Sequence, residues 1–122
     1  MNTIKTFEDA CQKLGLNPEE FVLTCPETFT QAKAIIAHTK LVVIAEALND
    51  GWVPDWTNGK GDKWYAWFKM GGSSGSGFAF YDAGLWYSFS TAGSRLCFKS
   101  EELAEYAGEQ FLDLYKEAFV IA

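Results

Sequence analysis

All five tryptophans of this 122-residue chain fall between Trp52 and Trp86, and thirteen of its twenty aromatic residues fall between Trp52 and Phe98. The segments on either side instead repeat their apolar residues at helical spacing. Large aromatics suit a pleated surface, so this division predicts helices at both ends and a sheet between them. Trp64-Tyr65-Ala66-Trp67-Phe68-Lys69-Met70 reads as one strand, and the glycine- and serine-rich residues 71–77 as a hairpin loop. Phe78-Ala79-Phe80-Tyr81-Asp82 and Leu85-Trp86-Tyr87-Ser88-Phe89-Ser90 follow, separated by Ala83-Gly84, a tight turn or a bulge. Ala92-Gly93 then turns the chain into Arg95-Leu96-Cys97-Phe98. Residues 52–99 are therefore expected to form an antiparallel meander of three or four strands.

Residues 1–50 read as helical. Thr6-Phe7-Glu8-Asp9 resembles a capping box, Phe7, Ala10, Cys11 and Leu14 share one face, and Gly15 suits a C-cap. Pro18 and Pro26 mark a connector. Thr28-Phe29-Thr30-Gln31 repeats the capping pattern ahead of a longer helix with Ala32, Ile35, Ile36, Thr39, Val42, Val43 and Ala47 on one side. Ala34, Leu41, Ala45 and Leu48 fill most of the other side, which places this helix in the middle of the fold. Leu41-Val42-Val43-Ile44 taken alone also suits a buried strand. Asn49-Asp50-Gly51 is a stop signal. Residues 100–122 read as one amphipathic helix packed on one sheet face. Ser100 is its N-cap, Leu103, Ala107, Phe111, Leu114 and Ala118 its apolar stripe, and Glu105, Glu109, Asp113 and Lys116 its wet side. The length suits a single domain, 1–122, of the α+β class.

Sixteen acids against ten bases give a net charge of −6. The charge is uneven: residues 1–50 carry −3, residues 51–98 carry +1 and residues 99–122 carry −4. Acidic helical ends argue against duplex DNA and anionic membrane surfaces, since phosphate recognition needs clustered Lys and Arg. No apolar run approaches the ~20 residues of a membrane span. The first nine residues lack the basic and apolar regions of a signal peptide, so a cytoplasmic location is expected. Cys11, Cys25 and Cys97 are odd in number and form no CxxC pair, which predicts reduced, buried thiols and no zinc site.

Three stretches carry a family resemblance. They are Ala47-Leu48-Asn49-Asp50-Gly51-Trp52-Val53-Pro54-Asp55-Trp56, Lys63-Trp64-Tyr65-Ala66-Trp67-Phe68, and the run from Gly93 to Gly108, GSRLCFKSEELAEYAG. Together they resemble a family of small uncharacterised proteins encoded by phages and prophages of gut Bacteroidetes. The resemblance spans most of residues 40–120. It implies a phage or prophage product at work in a bacterial cytoplasm, and it brings no catalytic residue with it.

Residue patterns with chemical potential are few. Gly71-Gly72-Ser73-Ser74-Gly75 matches the GxSxG nucleophile elbow in letters, but the one histidine, His38, precedes the serine and a strand follows where a helix is needed. His38 with Cys25 or Cys97 is a formal thiol–base pair that nothing in the spacing brings together. Asp50, Asp55, Asn58 and Asp62 crowd a glycine-rich loop without the order of a calcium loop. Gly59-Lys60-Gly61 lacks the remainder of a P-loop. The four glutamates of 101–109 fit a solvated helix face better than a glycosidase pair. No catalytic residue, cofactor or metal is expected.

The aromatic zone points instead to binding. Strand alternation puts Trp64, Ala66 and Phe68 on one face, and Tyr65, Trp67 and Lys69 on the other. A chain this short has helix enough to cover one face. Tyr65, Trp67, Lys69 and Trp86, with Arg95 as the sole arginine, are therefore the candidate surface. A protein partner or self-association suits it best, because aromatics and Arg anchor protein contacts. Single-stranded nucleic acid or a small ligand is the alternative, with bases stacking on rings beside Lys60, Lys63, Lys69 and Arg95. An enzyme ranks third.

Overall fold

A computed structural model describes residues 3–54, 63–71, 77–86 and 94–120, with the side chains of Leu85, Trp86 and Ser94 left aside. Thr6 opens α1 (Phe7–Leu14) by accepting the Asp9 N–H at 3.1 Å, and Gly15 closes it at φ 72°, a backbone region that L side chains avoid. Asn17 caps a single 3-10 turn, Pro18–Glu20. The long helix α2 (Ala32–Asn49) starts later than the Thr28 capping pattern suggests. The N–H groups of Phe29 and Ala32 bond the carbonyls of Pro26 and Phe29 in successive tight turns, so regular helix begins past them.

Leu41–Ile44 is helical, inside α2. Its inward side runs through Ala37, Leu41, Ile44 and Leu48, all nearly inaccessible, whereas Ile35 is 38% exposed. The face expected from Ala32, Ile35 and Ile36 is thus only partly the buried one. A helix that is apolar almost all round carries no internal instruction about which side faces in, and its neighbours decide.

The sheet departs most from expectation. Two strands are found among the described residues, not three or four: β1 (Lys63–Lys69) and β2 (Ala79–Trp86), paired antiparallel. Ala83-Gly84 runs straight through β2. The irregularity lies earlier, where Trp67 faces Asp82 but Phe68 faces Phe80, so that Tyr81 is the extra residue of a bulge. The strand expected at Arg95–Phe98 reduces to a 3-10 turn, Ser94–Leu96, and a one-residue bridge in which Phe98 and Trp64 exchange both backbone bonds at 2.7 and 3.0 Å. On the far side of Phe98 the Cys97 carbonyl accepts from Asn49 Nδ2 at 2.9 Å and the Lys99 N–H donates to Asn49 Oδ1 at 3.1 Å. One buried side chain thereby occupies the groups that a further strand would need. Residues 72–76 of the expected 71–77 loop, the acidic loop at 55–62 with Asp55, Asn58, Gly59, Lys60 and Asp62, and the segment 87–93 lie outside the described residues.

Ser100 caps the C-terminal region as expected, its hydroxyl accepting the Leu103 N–H at 3.3 Å. The single helix expected there is two, α3 (Glu101–Gln110) and α4 (Leu112–Phe119), joined at Phe111 with φ −110°. The Phe111 N–H still bonds the Ala107 carbonyl and the Tyr115 N–H the Phe111 carbonyl, so one bond on each side of the junction is kept where regular helix stops. The bend lets α3 lie on both strands while α4 packs on α2. It also centres the buried stripe on Ala104, Ala107, Gly108, Phe111 and Tyr115, while Leu103, Leu114 and Ala118 of the expected stripe are half-buried at its edge and pack against the core. At the other end, Tyr106 Oη donates to the Ile4 carbonyl and Gln110 Nε2 to the Lys5 carbonyl, which pins the N-terminal segment to α3. Among the described residues no helix is long and apolar enough to cross a membrane.

Candidate functional site

Alternation along β1 sends Trp64, Ala66 and Phe68 inward. Phe68 meets Phe78 at 5.0 Å, Tyr115 at 4.7 Å and Phe119 at 5.9 Å between ring centroids, which closes this face beneath the C-terminal helices. Tyr65, Trp67 and Lys69 point to the opposite side, as strand alternation requires. There β2 presents Gly84 and Asp82 opposite Tyr65 and Trp67.

Trp67 lies flat against the strand beside it. A Cβ on Gly84 would stand 2.1 Å from Trp67 Nε1 and 2.5 Å from Cε2, so the ring occupies the space that any other residue would fill. One ring face is spent on Gly84, and Trp67 remains 51% exposed. The bulge turns Tyr81 out to 61% exposure, and Lys69 Nζ stands 5.5 Å from its ring centroid, within cation–π range. Met70 is exposed at the end of β1. Strand alternation in the sequence does not point to Tyr81 or Met70 as part of this surface. A bulge shifts the alternation by one, and no local residue signal marks Tyr81 as its site.

The other expected residues separate. Tyr65 is half-buried, its hydroxyl enclosed beside the Cys97 thiol. Lys63, at the start of β1, is 1% exposed. Trp86 pairs with Lys63 through its backbone, and its side chain is outside the described residues. Arg95 is exposed on the 3-10 turn and lines a cavity with α2, Trp52 and Pro54, not the Trp67 face.

The candidate nucleophiles are poorly placed for chemistry. His38 is exposed on α2, whereas Cys11 and Cys97 are buried and Cys25 is half-buried. Burial pushes the Cys97 thiol up, outweighing the opposite pull of its own backbone N–H, the Tyr65 hydroxyl and Lys63. Burial and then Glu8 push Cys11 up in the same way. A thiol held in its neutral form is a weak nucleophile. Among the described residues no group of three His, Cys, Asp or Glu side chains is arranged to hold a metal ion. No protein-family model, curated protein or solved structure matches the chain.

Proposed function

We propose that this protein is a small non-catalytic interaction module that docks a protein partner, or a second copy of itself, on the outer face of its β1–β2 sheet. The observation that carries this reading is Trp67, laid flat on Gly84 with half of its surface in water. Tyr81, Met70 and Lys69 extend the same exposed stretch. Trp and Tyr are the residues that most often anchor protein contacts, because a rigid ring buries much area for little lost rotamer freedom. The resemblance to phage and prophage proteins supports a setting in a bacterial cytoplasm, with a phage or host protein as partner.

Light scattering across a range of concentrations, on wild type, Trp67→Ala and Tyr81→Ala, tests self-association. Capture from induced or infected host cells with the same three proteins tests a heterologous partner. The reading expects an assembly or a captured protein that both substitutions weaken while circular dichroism stays unchanged. A monomer that captures nothing, and whose tryptophan emission responds to oligo-dT at low salt, overturns it in favour of single-stranded nucleic acid.

A further inference from the structure

The C-terminal half of α2 presents Val42, Glu46 and Asn49 at i, i+4 and i+7, one stripe of a helix. The chain then reverses through Asp50 (φ 48°) and Gly51 (φ 88°). That reversal folds Trp52, Val53 and Pro54 back beside the stripe, and the Trp52 N–H bonds the Asn49 carbonyl at 3.1 Å. Arg95 and Cys97 supply the opposite wall, fixed in place by the two Asn49 side-chain bonds to Cys97 and Lys99. The open cleft so formed measures about 400 Å³, within the range of small-molecule sites.

Its chemistry is two-signed. Val42, Trp52, Val53 and Pro54 make it apolar, while Glu46 brings a carboxylate and Arg95 the one guanidinium of the protein. Glu46 and Arg95 form no ion pair with each other, whereas Asp50, just past the end of α2, pairs with Lys13 of α1 at 3.3 Å. Both charged groups are exposed and line the same cavity. We infer that this cavity binds a small zwitterion with an apolar body, the chemistry of a free apolar amino acid. Arg95 takes its carboxylate by a two-pronged hydrogen bond, Glu46 takes its ammonium group, and Trp52 and Pro54 cover the apolar part.

This site is separate from the sheet face, so its success or failure leaves the docking reading untouched, and Trp67→Ala is expected to bind like wild type. Calorimetric titration of the full chain with L-phenylalanine, L-phenylalanine amide and N-acetyl-L-phenylalanine provides the test. The intact amino acid is expected to bind at least about tenfold more tightly than either blocked form, equivalent to about 1.4 kcal/mol. Arg95→Gln is expected to abolish the preference over the amide, and Glu46→Gln the preference over the N-acetyl form. Both side chains are exposed, so both variants fold. Absence of saturable phenylalanine binding overturns the inference. So does binding that ignores both substitutions, or binding no tighter than that of the blocked forms.

Discussion

Trp67 and Gly84 meet diagonally across the β1–β2 ladder, and the indole fills the space above the glycine so completely that a methyl group there would overlap Nε1, Cε2 and Cδ1. The relationship is steric and does not depend on a special glycine backbone angle. It fixes the direction in which this exposed tryptophan of β1 faces solvent. Gly84→Ala is therefore expected to lift the ring off the strand. Because Trp67 is half in water and free to swing, the cost is about 1 kcal/mol, at the low end for an overpacked site. In NMR spectra the upfield ring-current shift of the Gly84 α-protons, and its loss in Trp67→Leu, checks the contact. A partner that needs the flat ring is lost in Gly84→Ala as it is in Trp67→Ala.

Gly108 sets the distance between α3 and the sheet. An added Cβ would stand 2.3 Å from Phe80 Cδ1 and 3.1 Å from Ala66 Cβ, inside a packed interface. In an exposed helix, Gly→Ala stabilises by about 1 kcal/mol. Here Gly108→Ala is expected to destabilise by about 1–3 kcal/mol, with partial recovery in Gly108→Ala/Phe80→Leu, read from denaturant midpoints.

Asn49 is the buried residue that ends the ladder. Asn49→Ala removes the buried bond to the Cys97 carbonyl and the part-buried bond from the Lys99 N–H, at an expected cost of about 1–3 kcal/mol that comes mainly from the buried carbonyl. Hydrogen exchange of the Lys99 amide should accelerate more than that of the α2 amides. Equal acceleration would show that the residue acts only through helix packing.

Stability at high pH follows from Tyr115. Burial pushes its hydroxyl up, and burial followed by the charge of Asp9 does the same, more weakly, for Tyr106. In the unfolded chain a phenol loses its proton near pH 10, whereas the folded protein retains it. Unfolding therefore releases protons above about pH 10, and stability falls as pH rises there, by up to about 1.4 kcal/mol per pH unit for each phenol. Below about pH 9 these groups contribute no slope. Tyr115→Phe is expected to flatten the alkaline limb, measured by urea unfolding at a series of pH values.

Local chemistry was legible wherever a residue acts on its own neighbours. Thr6, Gly15 and Ser100 cap the helices that their sequence context implies, and the Trp64–Lys69 alternation divides inner from outer side chains as period two requires. Alternation alone puts Tyr65, Trp67 and Lys69 on one face, but Tyr65 is half covered and Arg95 belongs to a different wall.

What remained hidden depends on residues far apart in the chain. The side of α2 that turns inward, the bend at Phe111, the bulge at Tyr81 and the halting of the third strand at Phe98 are choices between local options of similar energy. Asn49 makes the point most directly. In the sequence it is a helix stop signal, whereas in the fold its amide reaches 48 and 50 residues along to occupy a strand edge and brace a cavity wall. Sequence by itself determined the helical ends, the aromatic sheet between them and where the acidity lies, because periodicity, capping and charge are local properties. The tertiary structure alone decided which rings meet water and which charges share a cavity, because burial is settled only when distant segments compete for the same core.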